Sequence, residues 1–414
     1  MGRTRAGRDP VTERWERFED IVADCYPLVD KTGFIADWWR SGDAATLICR
    51  PNGFGKTLNL TMLECFFSMR HERDGAQIFQ GFSIYDDLAM NLERGSWPVI
   101  SLSFARVGMP DFNRSLDQIR RLISRAYQGF LDSVDLAAMT PHERAVFEGR
   151  SLIGERELPC SLTRLCELVH RGVGKRPIIL LDDYDVPMRQ AWLHGYWDEM
   201  AGVLRNFYIN TFKANSYLRR AVLTGVTCLA RDAAFGDLNN LAIVTAETNQ
   251  YGEWFGLTDS EVRETLRPTD LGGEGRQLAK AWYGGFSFGR ASGIYSPPSI
   301  LNYRTWYTPR SYRGWTPDDA LLVEILRRCN AYDREDWLGD IGTLLQGGKV
   351  ARTIDARVAL NGVVRNPDAF WSFLFANGYV RRVSPGAREY GKPDELAVTN
   401  LEMRETLASV VGRV

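Results

Sequence analysis

The hydrophobic pattern near the start of the chain predicts a strand, a tight loop and a helix in succession. Residues 44–49 form a short apolar run, and a glycine-containing loop follows at 50–57. Apolar residues then recur about every 3.6 positions, which is typical of a helix with one buried face. The residues on this face are Leu58, Met62, Leu63, Phe66 and Met69.

Three further apolar runs predict strands at 97–104, 177–181 and 221–226. The run at 177–181 contains four consecutive aliphatic residues, as parallel strands buried on both faces do. Helical spacing separates the runs, near 112–133, 161–171 and 197–213. The alternation predicts an α/β fold with a doubly wound parallel sheet and helices on both faces.

The pattern changes after about residue 250, where the alternation of strands and helices stops. Helices are predicted at 258–267 and 274–283 with no strand between them, so we expect a helical lid or linker beside the sheet. The last part predicts helices and then a hairpin, which is the order of a winged-helix module. We therefore divide the chain into a flexible N-terminus (1–17), an α/β domain (18–250), a lid or linker region (251–315) and a C-terminal winged-helix-like domain (316–414).

The loop at 50–57 carries the candidate phosphate-binding residues. A helix that follows Gly55-Lys56-Thr57 directs its N-terminus and backbone N–H groups at an anion. In this arrangement Lys56 would reach the β- and γ-phosphates, and the Thr57 hydroxyl would hold Mg²⁺. The alternative is an ordinary βα turn, because Arg50 stands where the usual G-x-x-x-x-G-K-[ST] pattern has its first glycine. The predicted phosphate-binding residues are Arg50, Pro51, Asn52, Gly53, Phe54, Gly55, Lys56, Thr57 and Leu58.

Acidic residues follow the strand at 177–181, at the edge where open α/β sheets bind ligands. In a P-loop ATPase, Asp182 would hold Mg²⁺ through water and Asp183 would orient or activate the attacking water. The alternative is a solvated acidic turn. Thr227, after the strand at 221–226, is a candidate γ-phosphate contact. Arginine-finger or sensor candidates are Arg219, Arg220 and Arg231.

The order of these strands distinguishes between branches of P-loop proteins. The strand at 97–104 lies in sequence between the loop strand and the acidic strand, and Asp183 directly follows the metal-binding acid. This order favours the ASCE/AAA-like branch, in which an additional strand occupies the centre of the sheet.

The composition is that of a globular protein, with 414 residues, 44% hydrophobic and 25% charged. A net charge of −1 excludes a strongly basic surface field. Since no apolar run reaches the roughly 18 residues of a membrane span, we expect no membrane association. The basic N-terminus lacks the apolar segment of a signal peptide. Seven scattered cysteines without a C-x-x-C pattern predict reduced thiols, a cytoplasmic setting and no structural zinc site.

Taken together, the motifs resemble the bacterial AAA-ATPase-like family of P-loop proteins. The family's P-loop, R-P-R-R-F-G-K-S-L, is similar to residues 50–58, so the resemblance makes Arg50 a family feature. Its acidic strand, L-I-D-E-Y-D-x-P, is similar to residues 180–187. The resemblance covers about residues 18–410 and implies ATP as the nucleotide. The other similar pieces are residues 26–32, 223–228, 238–241, 282–286 and 295–302.

The chain departs from the family pattern in three places. Asp183 replaces the family's glutamate, which places the carboxylate one methylene further from the water. Cys228 replaces an arginine after Gly-Val-Thr. Many family members carry a C-terminal PD-(D/E)XK nuclease domain, but none of the seven lysines here follows an acid at the required spacing of two residues. We therefore expect no nuclease activity of that kind.

The leading hypothesis is a slow Mg²⁺-dependent ATPase that works as a nucleotide-driven switch and binds a protein partner through its C-terminal domain. An AAA-like scaffold deficient in hydrolysis is the second, and Asp183 and Cys228 favour it. A nucleic-acid-associated defence component is the third. Only Arg381, Arg382 and Arg388 form a small basic cluster in the C-terminal part, which gives DNA binding little support. A homo-oligomer is compatible with each hypothesis.

Overall fold

A five-stranded parallel sheet forms the centre of the molecule in a computed structural model that describes residues 17–26, 28–229, 240–269, 271–355, 360–384 and 392–414. The strand order is β2-β3-β4-β1-β5. β4 therefore lies between the loop strand β1 and the acidic strand β3, and the predicted α/β fold with a parallel sheet is confirmed. The strands are β1 (Ala45–Cys49), β2 (Val99–Ser103), β3 (Ile178–Asp182), β4 (Arg220–Gly225) and β5 (Leu241–Val244).

The pairing register brings the ends of three strands to one edge of the sheet. Cys49 at the end of β1 pairs with Gly225 at the end of β4. Leu181, one residue before the end of β3, pairs with Leu223 of β4. The loop after β1, the acids after β3 and the segment after β4 therefore meet at the carboxyl edge, where the candidate site lies.

Helices connect these strands, and α5, α6 and α7 begin with a side-chain N-cap. Asp111 accepts a hydrogen bond from the Arg114 N–H at the start of α6, and Thr140 forms a capping box with Glu143 at the start of α7. A π-helical turn, Ile209–Lys213, continues α10. These helices are α1 (Phe18–Ala23), α2 (Gly33–Ser41), α3 (Lys56–Phe67), α4 (Gly75–Ile78), α5 (Leu88–Asn91), α6 (Phe112–Gln128), α7 (Pro141–Phe147), α8 (Ser161–Val173), α9 (Val186–His194) and α10 (Trp197–Tyr208).

The rest of the chain adds two small antiparallel sheets and seven helices among the described residues. The predicted strand pair near 380–383 and 395–399 is present, and a third strand, which the sequence did not predict, joins it. The lid and the winged helix stay predictions. The elements are α11 (Asp259–Leu266), α12 (Gly272–Tyr283), β6 (Phe286–Phe288), β7 (Ala291–Ile294), α13 (Pro297–Trp306), α14 (Pro317–Arg328), α15 (Ala331–Leu345), β8 (Val350–Arg352), α16 (Pro367–Ala376), β9 (Val380–Arg382), β10 (Asp394–Val398) and α17 (Leu401–Val411).

Buried apolar side chains join the sheet region to the C-terminal part in one continuous core. This core extends from Phe18 to Val410 and contains four of the five residues of β1 and four of the five of β3. A second, smaller cluster gathers around α11, α12 and α13, between Leu257 and Tyr303. Among the described helices, none has the length and hydrophobicity that crossing a membrane requires.

Candidate functional site

Two glycines shape the loop between β1 and α3. Gly53 and Gly55 have φ angles of 82° and 80°, in the left-handed region that favours glycine. Gly55 is the residue that precedes the first turn of α3. The N–H groups of such a first turn have no partners within their own helix. The loop therefore closes around the N-terminus of α3, as a phosphate-binding loop does.

Lys56 folds back into this loop. Its Nζ donates hydrogen bonds to the carbonyl oxygens of Arg50 and Pro51, both at 3.1 Å, and to Asn52 Oδ1 at 3.4 Å. The side chain is buried although it carries a charge. A buried ammonium surrounded by loop carbonyls is already positioned to meet an anion that enters the loop.

The two predicted metal ligands lie against each other. Thr57 Oγ1 donates a hydrogen bond of 2.6 Å to Asp182 Oδ2. The other oxygen, Oδ1, accepts hydrogen bonds from the Thr224 hydroxyl and, at 3.1 Å, from the Asp183 N–H. A hydroxyl oxygen beside a carboxylate with a fixed orientation is a donor set that fits Mg²⁺, which prefers oxygen ligands. Thr224, which the sequence did not single out, orients this carboxylate from β4.

Asp183 combines an unusual backbone with an unusual acidity. Its φ is 52°, a conformation that aspartate adopts more readily than most residues. Burial, and secondly the neighbouring Asp182 carboxylate, raise the pKa of Asp183 to about 7. A carboxylate with a pKa near neutral pH is a better proton acceptor than an ordinary aspartate. Asp183 lines the cavity described next, as its predicted role with water requires.

A cavity of about 1230 Å³ opens above the loop. Residues 52–59 and Asp183 form part of the cavity wall, and this part contains Lys56 and Thr57. The rest of the wall carries both apolar and charged side chains. A cavity that offers ionic and apolar groups fits a ligand that has an anionic part and a flat, weakly polar part. Outside the loop, the apolar residues of the wall include Phe18, Ile21, Leu28, Val29, Met62, Trp254 and Leu257, and the charged ones are Asp30, Lys31, Glu261, Arg263, Glu264, Arg267, Arg276 and Arg304.

The Arg50 side chain does not reach this cavity, contrary to its place in the predicted phosphate cradle. Its guanidinium lies 4.5 Å from the ring centroid of Phe288 and donates to the Cys49 carbonyl at 3.0 Å. Burial lowers the pKa of Arg50 to about 10. Arg50 therefore contributes its carbonyl to the loop, while its side chain ties the loop to the β6–β7 hairpin. Pro51 also lies outside the cavity wall, whereas residues 52–58 belong to it.

Two of the predicted finger residues lie at the wrong edge of the sheet. Arg220 begins β4, whereas Gly225 ends it at the carboxyl edge. The Arg219 guanidinium lies over the Trp39 ring, 4.9 Å from its centroid. The assignment of Arg219 and Arg220 to the phosphates bound by their own chain is therefore wrong. Arg231, the third candidate, lies outside the described residues.

Thr227 lies at the carboxyl edge but not on the cavity wall. Its N–H donates to Asp185 Oδ2 at 2.8 Å, and its carbonyl accepts from the Tyr184 hydroxyl, also at 2.8 Å. The Thr227 hydroxyl is buried and has no hydrogen-bond partner among the described residues. Its contact with a γ-phosphate stays a prediction.

Sequence reasoning missed three charged residues beside the site. Asp185 precedes α9, and Arg189 lies one turn later, a spacing of four that brings two helical side chains together. This spacing was a usable signal. Asp318, in the first turn of α14, pairs with Arg189 and also accepts a hydrogen bond from the Asn52 amide. Asn52 and Asp318 are 266 residues apart, and no local pattern announces such a contact.

The chain is similar to several known proteins. A family described as "Predicted AAA-ATPase" matches residues 15–235. An "uncharacterized protein in vnfD 5'region" of Azotobacter chroococcum mcd 1 is 26% identical over 314 residues, which are 75% of this chain and 54% of that protein. The chain thus spans about half the length of this curated relative. A Walker-type ATPase of Pyrococcus abyssi superposes with a TM-score of 0.45 at 12% identity, covering 92% of this chain and 96% of that one.

Proposed function

Because the chain belongs to the predicted AAA-ATPase family, we propose that it binds ATP with Mg²⁺ in the cavity above β1 and α3 and hydrolyses it slowly. The hydrogen bond between Thr57 and Asp182 is the observation that carries this proposal. It joins residues 125 positions apart, from the end of the phosphate loop and the end of β3. P-loop ATPases place the metal between these two positions.

The two halves of ATP would lie against different parts of the cavity wall. The phosphates would lie in the loop, where Lys56 would exchange its carbonyl partners for phosphate oxygens. Thr57 and Asp182 would hold Mg²⁺, which neutralises charge on the β- and γ-phosphates. The base would lie toward Trp254 and Leu257, two apolar residues of the wall.

Asp183 would orient the attacking water and accept its proton. Its raised pKa suits this role, and its position on the cavity wall gives it access to the water. Its side chain is one methylene shorter than that of glutamate, so its carboxylate would lie further from the water. We therefore propose slow turnover, since catalysis by a general base depends on hydrogen-bond distance.

The C-terminal part would respond to the nucleotide. Asp318 of α14 accepts a hydrogen bond from Asn52 of the phosphate loop, so a ligand in the loop acts directly on this helix. We propose that ATP sets the position of residues 316–414 and thereby controls binding of a protein partner. The alternative is a scaffold that binds ATP without turnover, which Asp183 and the buried Cys228 favour over a fast enzyme.

Phosphate release from ATP tests the proposal. Wild type should release phosphate slowly and only with Mg²⁺, and Lys56→Ala should lower the rate at least about 100-fold, because it removes a buried charge that meets the phosphates. Lys280→Ala is the matched control, since Lys280 is exposed on α12 and outside the cavity wall. Binding without release would favour the scaffold. Release that survives in Lys56→Ala would refute this site.

A further inference from the structure

A buried set of charged side chains closes the phosphate end of the cavity. Asp318, 1% exposed, pairs through one carboxylate oxygen with the Arg189 guanidinium of α9. Through the other oxygen it accepts a hydrogen bond from the Asn52 side-chain amide. Asn52 in turn accepts from Lys56 Nζ at 3.4 Å. A carboxylate from the C-terminal part is therefore bound on the phosphate loop.

In the described part of the chain, the Arg189 guanidinium has fewer partners than it has N–H donors. A guanidinium carries five N–H donors. Among the described residues, its partners are Asp318 and, at 4.0 Å, Asp185, and its Nε has no hydrogen-bond partner. The side chain is only 6% exposed, so water does not readily satisfy the remaining donors. An anion of the right shape would pair with them, because arginine binds phosphate through two parallel N–H groups.

The buried charged side chains lie next to the part of the cavity wall that the phosphate loop forms. Asn52, Lys56 and Asp183 belong to the cavity wall, whereas Arg189 and Asp318 lie buried beyond it. Asn52 contacts both Lys56 on the wall and Asp318 beyond it, so these two charged groups lie on either side of one side chain. The terminal phosphate of a nucleotide in the loop would lie at this end of the cavity. Two anions, that phosphate and Asp318, would then compete for the same cation.

We propose that Arg189 binds the terminal phosphate of a nucleoside triphosphate, and that Asp318 holds Arg189 when this phosphate is absent. This inference rests on the proposed ATP binding and adds a residue that distinguishes a triphosphate from a diphosphate. The γ-phosphate takes the guanidinium from Asp318, and repulsion between like charges moves that carboxylate away from Asn52. A diphosphate lacks the competing group and leaves the Asp318 contacts in place. α14 is thus released by ATP and retained by ADP.

Calorimetric affinities for MgATP and MgADP test this assignment. In Asp318→Asn, the affinity for MgATP should rise at least about tenfold, because a negative charge beside the γ-phosphate is removed. The affinity for MgADP should stay within about twofold of wild type. Asp319→Asn is the matched control. Asp319 is the adjacent buried carboxylate, but it pairs with Arg313 and Tyr379, so its loss should leave the ratio of the two affinities unchanged.

A double variant removes both charges and guards against misfolding. Replacing a buried ion pair with apolar residues is often tolerated, whereas removing one partner is not. The double variant Arg189→Met with Asp318→Leu should keep MgADP binding. Its ratio of MgATP affinity to MgADP affinity should fall at least about tenfold below that of wild type, since no arginine then reaches the γ-phosphate.

The outcomes separate this inference from the proposed function. If wild type binds both nucleotides and neither variant changes the ratio of their affinities, the assignment of Arg189 and Asp318 is overturned and ATP binding stands. Equal changes for both nucleotides overturn it as well, since they report a structural role. If neither wild type nor Asp318→Asn binds any nucleotide, the proposed function fails and this inference fails with it. Binding of MgATP by Asp318→Asn alone supports it.

Discussion

The charged residues at the two edges of the parallel sheet differ in how fully the chain itself supplies their partners. At the amino edge, the Arg220 guanidinium donates to the carbonyl oxygens of Trp39 and Asp43 and lies 4.6 Å from the Trp38 ring centroid. Arg219 lies over two further rings, at 4.9 Å and 5.0 Å. The chain itself supplies the partners of these cations, and neither arginine lines the cavity above the loop.

At the carboxyl edge, charged groups are left for a ligand. Lys56 is held by loop carbonyls, Asp183 has a positive φ and a raised pKa, and the buried Arg189 Nε has no hydrogen-bond partner among the described residues. Strained backbone and perturbed acidity concentrate at functional sites. The comparison teaches that a charged residue beside a strand is informative only once the direction of the strand is known. Arg219 precedes β4 and Arg220 begins it, whereas Asp182 ends β3 and Asp183 follows it.

The largest expected effect belongs to Asp183 at the carboxyl edge. Asp183→Asn keeps a residue that tolerates the positive φ but removes the proton acceptor. Phosphate release should fall by about 10² to 10⁴-fold, while MgATP affinity stays near that of wild type. Single-turnover kinetics separate the two quantities. Undiminished release would show that Asp183 takes no proton in the reaction.

Next in size is a loss of stability at the amino edge. Arg220→Met keeps the aliphatic packing but leaves two backbone carbonyls without their donor. The free energy of unfolding should fall by about 3 kcal/mol, since unpaired buried acceptors cost about 1–3 kcal/mol each. Urea unfolding measures the change. The rate of phosphate release per folded molecule should stay at the wild-type value, and a slower rate would refute a purely structural role.

A smaller effect is expected from the residue that orients the metal ligand. Thr224→Val removes the hydroxyl that donates to Asp182, so half-saturation of phosphate release should need about 10 to 100-fold more Mg²⁺. Thr46→Val on β1 is the matched control. The Thr46 hydroxyl is buried and has no hydrogen-bond partner among the described residues, so its loss should leave the Mg²⁺ dependence unchanged. Equal Mg²⁺ requirements in the two variants would count against Asp182 as a metal ligand.

The smallest effect should come from Arg219 at the amino edge. Its guanidinium is exposed and lies over the rings of Trp39 and Trp97. Arg219→Gln should lower the free energy of unfolding by only about 0.5–1 kcal/mol, as is typical of an exposed cation–π contact. Thermal unfolding and phosphate release together test this. A large loss of turnover would return Arg219 to the role of an arginine finger, supplied to a second copy of the chain.

The sequence predicted the parts of this site that consist of consecutive residues. Gly55-Lys56-Thr57 and Asp182 follow predicted strands, and strand direction brings both to one edge. In a parallel sheet this edge is fixed once the strands are identified. β1, β3 and β4 were found because each is a compact run of buried residues, and β2 was found because apolar and small polar residues alternate along it.

Other features could not be predicted from the sequence because they depend on contacts between distant parts of the chain. β5 is only four residues long, and the two residues at its centre are partly exposed. The direction of the Arg50 side chain is set by Phe255 and Phe288, more than 200 residues later in the sequence. The partner of Asn52 comes from α14. Hydrogen bonds of this kind are visible only once the core has brought the segments together.

A titration of MgATP against one lysine variant at each edge tests the central claim most directly. Lys56 lies in the phosphate loop, and Lys175 at the amino edge donates to the Ser96 carbonyl at 2.8 Å. Wild type and Lys175→Ala should bind MgATP at one site with equal affinity, whereas Lys56→Ala should bind it at least about 100-fold more weakly. No binding by wild type, or equal binding by all three proteins, would contradict the assignment of the nucleotide site to the carboxyl edge.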